Sequence, residues 1–181
     1  MSKREKIEKC IIYIAFGFYI ILLAKILFLS RISYMSVFGA DTNRIRAVNL
    51  VPFFTIKSYI ISRSITSGLF FANVVGNMII FAPFGACLAF LKKDKRIWPN
   101  ILIIFISSLA VEALQWVFVI GSADVDDVIL NCAGGLIGVF GYRLLRYIMK
   151  DDRKIQTMVA VVSALSLPVL YYYLFIIKMR F

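Results

Sequence analysis

Five apolar stretches, each about as long as a bilayer is thick, divide this chain and leave it few ways to fold. They cover residues 10–29, 69–91, 98–120, 125–149 and 158–177. Hydrocarbon offers no hydrogen-bond partners, so a crossing segment satisfies its own main chain, and single apolar runs do that as helices. The composition agrees: 61% of the 181 residues are hydrophobic and 17% are charged, with a mean hydropathy of +0.87. Soluble domains are nearer half apolar and a quarter charged. The expected fold is all-α, a polytopic membrane helix bundle with about five transmembrane helices. It forms one membrane domain over residues 1–181, multi-pass in a cell membrane, with the lipid bilayer as its first partner.

The basic residues between the runs set an orientation. Thirteen lie on one side: Lys3, Arg4, Lys6 and Lys9 at the start, Lys92, Lys93, Lys95 and Arg96 after the second run, and five between Arg143 and Lys154. Seven lie on the other side, and Lys25 falls inside the first run. The excess predicts a cytoplasmic N-terminus, and no small-residue cleavage site follows the first run, which reads as an uncleaved span. A net charge of +11 could suit a nucleic-acid binder, but these residues punctuate apolar runs and form no basic domain. No nucleic-acid partner is expected.

The predicted outer connection between spans one and two, residues 30–68, is long and mixes apolar with polar residues, so an amphipathic or re-entrant piece is expected near 53–64. Cys10, Cys87 and Cys132 lack metal or disulfide spacing and read as packing residues. Histidine is absent, which removes the commonest general base and zinc ligand.

Against this background the polar residues in and beside the spans stand out. Residues 112–138 read E-x-x-Q-x8-D-x-x-D-x-x-x-N-x-x-G-G-x-x-G. With the predicted orientation, Glu112 and Gln115 late in span three, Asp124 and Asp127 before span four and Asn131 one turn deeper share the outer membrane level. Asn73 and Asn77 at the start of span two, Lys25 late in span one, and Arg46 and Asn49 in the outer connection join them. A carboxylate as deep as Glu112 costs about 3 kcal/mol unless paired, protonated or wet. Lys25 and Arg46 are the expected cations. Asp124 also suits a helix N-cap, Asp126 is expected to face solvent, Gly134, Gly135 and Gly138 to let helices approach, and Pro83 to kink its span.

Three blocks carry a family resemblance: RAVNLVPF at 46–53, NVVGNMIIFAPFG at 73–85, and EALQWVFVIGSADVDDVILNCAGGLIG at 112–138. In this order they resemble the VanZ-like membrane proteins, associated with resistance to teicoplanin and related lipoglycopeptides. The resemblance covers roughly 25–143, and Lys25 looks like a position recurring in the teicoplanin-resistance member. Many members carry an arginine in the turn before the first Asp, where this chain has Gly121, Ser122 and Ala123.

The resemblance implies a protein that lowers susceptibility to teicoplanin-type glycopeptides, and the polar cluster on the predicted outer face is expected to engage a lipid-linked peptidoglycan precursor or the drug. The expected ligand-binding residues are Lys25, Arg46, Asn49, Asn73, Asn77, Glu112, Gln115, Asp124, Asp127 and Asn131. No metal site is assigned and no cofactor is required. One alternative is a membrane enzyme on a lipid-linked cell-wall substrate, with carboxylates holding Mg²⁺ or acting as acid and base; no nucleophile constellation is visible. The other is a small lipid transporter or flippase, which would need to oligomerise, since no inverted repeat is visible.

Overall fold

A computed structural model describes residues 2–29, 48–61, 67–92, 96–119 and 123–176, with the side chains of 29, 58–61 and 67–73 outside the description. Six α-helices and two short strands occupy these residues: α1 Lys3–Ala24, β1 Val48–Asn49, α2 Phe54–Ile61, α3 Ser67–Lys92, α4 Trp98–Val117, β2 Ala123–Asp124, α5 Val125–Met149 and α6 Asp152–Tyr171. π-helical turns extend α1 through Lys25–Leu29 and α6 through Tyr172–Ile176. Five segments are long and apolar enough to cross a membrane: Lys3–Phe28, Val74–Lys92, Trp98–Val117, Val125–Met149 and Asp152–Ile176. The all-α, multi-span fold expected from the sequence is the fold observed.

Span ends differ from the apolar runs where capping decides them. α1 begins at Lys3 because Ser2 and Glu5 form a reciprocal capping box, the Ser2 hydroxyl accepting the Glu5 N–H and the Glu5 carboxylate accepting the Ser2 N–H. α6 begins at Asp152 because the Asp151 carboxylate accepts the Arg153 and Lys154 N–H groups. Such polar first turns carry no hydropathy signal. α4 stops at Val117, short of the apolar run's end; Phe118 caps it and Val119 turns into the left-handed region at φ 55°.

The chain divides into two compact units, residues 1–40 with 144–181, and residues 41–143. In the first, α1 and α6 bury Ile12, Ala15, Leu23, Ile155 and Ala160. The Glu8 carboxylate accepts from Gln156 Nε2 (3.1 Å), Thr157 Oγ1 (3.0 Å) and Arg4 Nε (2.9 Å). Lys25 Nζ donates to the carbonyls of Tyr173 (3.0 Å) and Leu174 (2.6 Å). Main-chain carbonyls are an expected partner for a lysine within a span.

In the second unit α3 and α5 pack backbone on backbone. A Cβ on Gly138 would land on the Ala82 carbonyl, one on Gly134 on the Met78 main chain, and one on Gly85 on the Gly135 carbonyl. Gly135 instead faces the Ile104 side chain of α4. Small residues permit such approach, and where apolar burial drives nothing, close contact is what holds helices together. Phe81 and Phe84 pack edge to face at 5.9 Å, and Phe90 meets Tyr142 at 5.9 Å in the same manner. Pro83 lies inside α3, which continues past it.

Gly138→Ala should therefore force α3 from α5 and destabilise the protein by about 1–3 kcal/mol. Gly141→Ala, whose Cβ would meet nothing within 4 Å, should be neutral or slightly stabilising. Thermal unfolding of the two variants in detergent checks the difference.

Candidate functional site

α4 is built inside out. Its buried residues are Asn100, Ile104, Ser108, Glu112 and Gln115, spaced by three or four along one face. Leu102, Phe105, Ile106, Leu109 and Leu114 are exposed. Four of the five buried side chains are polar. Ser108 Oγ accepts from Asn131 Nδ2 on α5 at 3.0 Å. Glu112, 4% exposed, accepts the Asp124 main-chain N–H on Oε2 at 3.0 Å. The Oδ1 atoms of Asn100 and Asn131 are buried and meet no donor among the described residues.

The entry to α5 is the centre of the arrangement. β1 and β2 pair in parallel, setting Val48 beside Ala123 and Asn49 beside Asp124. Asp124 is the N-cap of α5, its Oδ1 accepting the Asp126 N–H at 2.9 Å. The same atom accepts from Asn49 Nδ2 at 3.2 Å, and Oδ2 accepts the Thr55 hydroxyl proton. Asn49 Nδ2 also donates to Thr55 Oγ1 at 3.0 Å, while its Oδ1 accepts the Val51 N–H at 3.2 Å.

Asp126 makes the larger attachment. Its Oδ1 accepts the Phe53 N–H, and its Oδ2 accepts the N–H groups of Thr55 (2.9 Å) and Ile56 (3.2 Å). These are donors of the first turn of α2 and the residue before it, which that helix leaves without acceptors of its own. A carboxylate at this end also suits the helix dipole. The three bonds hold Phe53 in the left-handed region at φ 62°, a conformation that costs a bulky residue about 1–2 kcal/mol. Asp126 is 1% exposed, so the expectation that it faces solvent is wrong. It points away from Asp127 because it reaches across to the segment carrying Asn49 and Phe53.

The structure thus brings Asn49, Asn77, Glu112, Asp124, Asp127 and Asn131 into one unit with Gln115, which is wholly buried. Asn77 Nδ2 donates to Asp127 Oδ1 at 2.7 Å, joining α3 to α5. Of the three aspartates at the start of α5, only Asp127 stays partly exposed. Asn73 lies on α3, its side chain outside the description, and Arg46 lies outside the described residues. Lys25 belongs to the other unit, where it donates to the Tyr173 and Leu174 carbonyls. Sequence reasoning missed Thr55 and Ser108; Ser108 was legible one helical turn before Glu112, whereas Thr55 carried no signal of its own. Among the described residues no set of three His, Cys, Asp or Glu side chains is placed to hold a metal ion.

Removing Asp126 leaves three part-buried N–H groups without their acceptor. Asp126→Ala should cost about 3 kcal/mol or more and open residues 48–61 to protease, and Thr55→Val about 1–2 kcal/mol. Thermal unfolding with mapping of the first proteolytic cuts in detergent checks both.

The polar cluster, the glycine contact and the asparagine-led segment on Asp124 and Asp126 occupy the three sequence blocks already singled out. The VanZ/LLP1 family model matches residues 16–168. Protein VanZ of Enterococcus faecium is 30% identical over 148 residues, covering 82% of this chain and 82% of that protein. No solved structure matches the chain. A match over most of the length, together with a relative of this similarity, places the chain in the VanZ/LLP1 family of membrane proteins.

Proposed function

We propose that this protein sits in the bacterial cell membrane with its N-terminus in the cytoplasm, and lowers susceptibility to teicoplanin-type glycopeptides. In this reading the end of the second unit bearing Asn77, Glu112 and Asp127 faces outward and engages a lipid-linked cell-wall precursor or the drug. One observation carries the reading: the Asn77–Asp127 hydrogen bond at 2.7 Å, on the partly exposed carboxylate of the cluster. The excess of basic residues on the opposite side of the predicted topology supports the orientation.

In this reading the polar residues divide by the partners they already have. Asp124 and Asp126 accept main-chain and side-chain donors of their own protein on both oxygens. Asn49 is spent on Val51, Thr55 and Asp124. These three are scaffold. Asp127 is the partly exposed group that a ligand meets, the buried Asn77 amide holds it, and Glu112 is buried as the anchor of the Asp124 main chain. A carboxylate accepts, so Asp127 suits a ligand presenting donors: amide N–H groups, amines or sugar hydroxyls.

Asp127→Asn keeps the size of the side chain and removes its charge. In a susceptible bacterium expressing the protein, this variant should reduce the teicoplanin inhibitory concentration to that of cells carrying no copy, at unchanged membrane levels. Glu112→Gln keeps an acceptor for the Asp124 N–H and should give partial loss. Full protection by Asp127→Asn at normal levels would sink the site assignment.

A further inference from the structure

Residues 48–56 contain no charge, and their surface is apolar throughout. Val48 is 50% exposed, Leu50 76%, Val51 60%, Phe53 58% and Phe54 59%. The two polar side chains with described partners, Asn49 and Thr55, turn inward onto Asp124. On a water-facing loop this distribution would be inverted.

The main chain provides a second, independent observation. From Val51 to Lys57 every N–H has an acceptor within the protein. Val51 donates to Asn49 Oδ1, and Phe53, Thr55 and Ile56 donate to Asp126. Phe54 donates to the Val51 carbonyl at 3.3 Å and Lys57 to the Phe53 carbonyl at 2.9 Å. Residue 52 is proline and has no N–H to satisfy. A loop in water can leave such donors to solvent, whereas irregular backbone at membrane depth is tolerated only where protein groups or a wet cavity satisfy it.

We infer that residues 48–56 are immersed in the hydrocarbon of the bilayer, with Leu50, Val51, Phe53 and Phe54 facing acyl chains and Asp126 supplying the acceptors their backbone would otherwise lack. The occupant of this apolar surface is lipid, because five helices of the same chain are long and apolar enough to lie in lipid, and the satisfied N–H groups of residues 51–57 answer lipid's lack of acceptors. Lys57, exposed at the end of the uncharged stretch, carries its ammonium back to the headgroups. Asp126 is thereby a device for making the bend at Phe53 and the open first turn of α2 soluble in hydrocarbon. The inference does not depend on what the polar cluster binds.

The test uses the full chain in lipid vesicles, with Cys10, Cys87 and Cys132 replaced by alanine. Single cysteines are introduced by Leu50→Cys, Val51→Cys and Phe54→Cys, all at exposed side chains whose loss leaves the core intact. Lys150→Cys, in the exposed connection between α5 and α6, is the water-facing control. Each site is labelled with a fluorescent bimane and quenched in turn by iodide in the water and by nitroxide-bearing lipids. Positions 50, 51 and 54 should be quenched by the lipid nitroxides and protected from iodide at least tenfold relative to position 150. Iodide quenching equal to that at position 150 would overturn the inference. Protection from both quenchers would overturn it too, since it would mean that protein, a second copy or a partner, covers the segment.

Discussion

Hydrocarbon supplies neither donors nor acceptors, so each polar group this protein carries into the bilayer has to find its partner within the chain. The second unit meets that constraint through the carboxylates at the start of α5. Asp124 caps its own helix and ties in Asn49 and Thr55, and Asp126 takes the first N–H groups of α2. Together with the pairing of β1 and β2, these bonds join a segment remote in sequence to the mouth of α4 and α5. Hydrogen bonds to an ionised group contribute about 1.5–3 kcal/mol each, more than most contacts at a helix end. The Asn77–Asp127 hydrogen bond depends on this frame, because the frame fixes where α5 begins.

The same constraint explains why α4 buries polar residues and exposes leucine and phenylalanine. In water such a helix would be turned the other way. Here Ser108 and Glu112 face partners on α5 and β2, and the apolar side faces outward. The close approach of α3 and α5 at Gly134 and Gly138 is the apolar counterpart: with little to gain from removing water, helices are held by contact and shape. In the first unit Lys25 follows the same rule, its ammonium taken up by two carbonyls of the π-helical end of α6.

A consequence for function is that acidic residues close in sequence carry different work. Asp124, Asp126 and Asp127 lie within four positions, yet two are consumed in construction and one remains partly exposed beside Asn77. A count of carboxylates at the end of a span therefore overstates the number left partly exposed. Neutralising Asp126 and neutralising Asp127 change different properties of the protein.

The sequence by itself determined the helical class, the number of spans, the glycine contact and the blocks that mark the family, because each rests on local signals: apolar length, small residues at helical spacing, short motifs. It also located Glu112, Asp127 and Asn77 as residues that need a reason to be there. Only the tertiary structure decided which aspartate does what. Asp126 lies one position from Asp127 and reads from periodicity as solvent-facing; it is buried because its acceptors meet N–H groups some seventy residues away. Lys25 sits by sequence at the level of the acidic cluster, yet donates to carbonyls nearly 150 positions further along. Hydrogen-bond partners distant in sequence leave no periodic trace, and in a membrane those partners settle where a polar side chain can go.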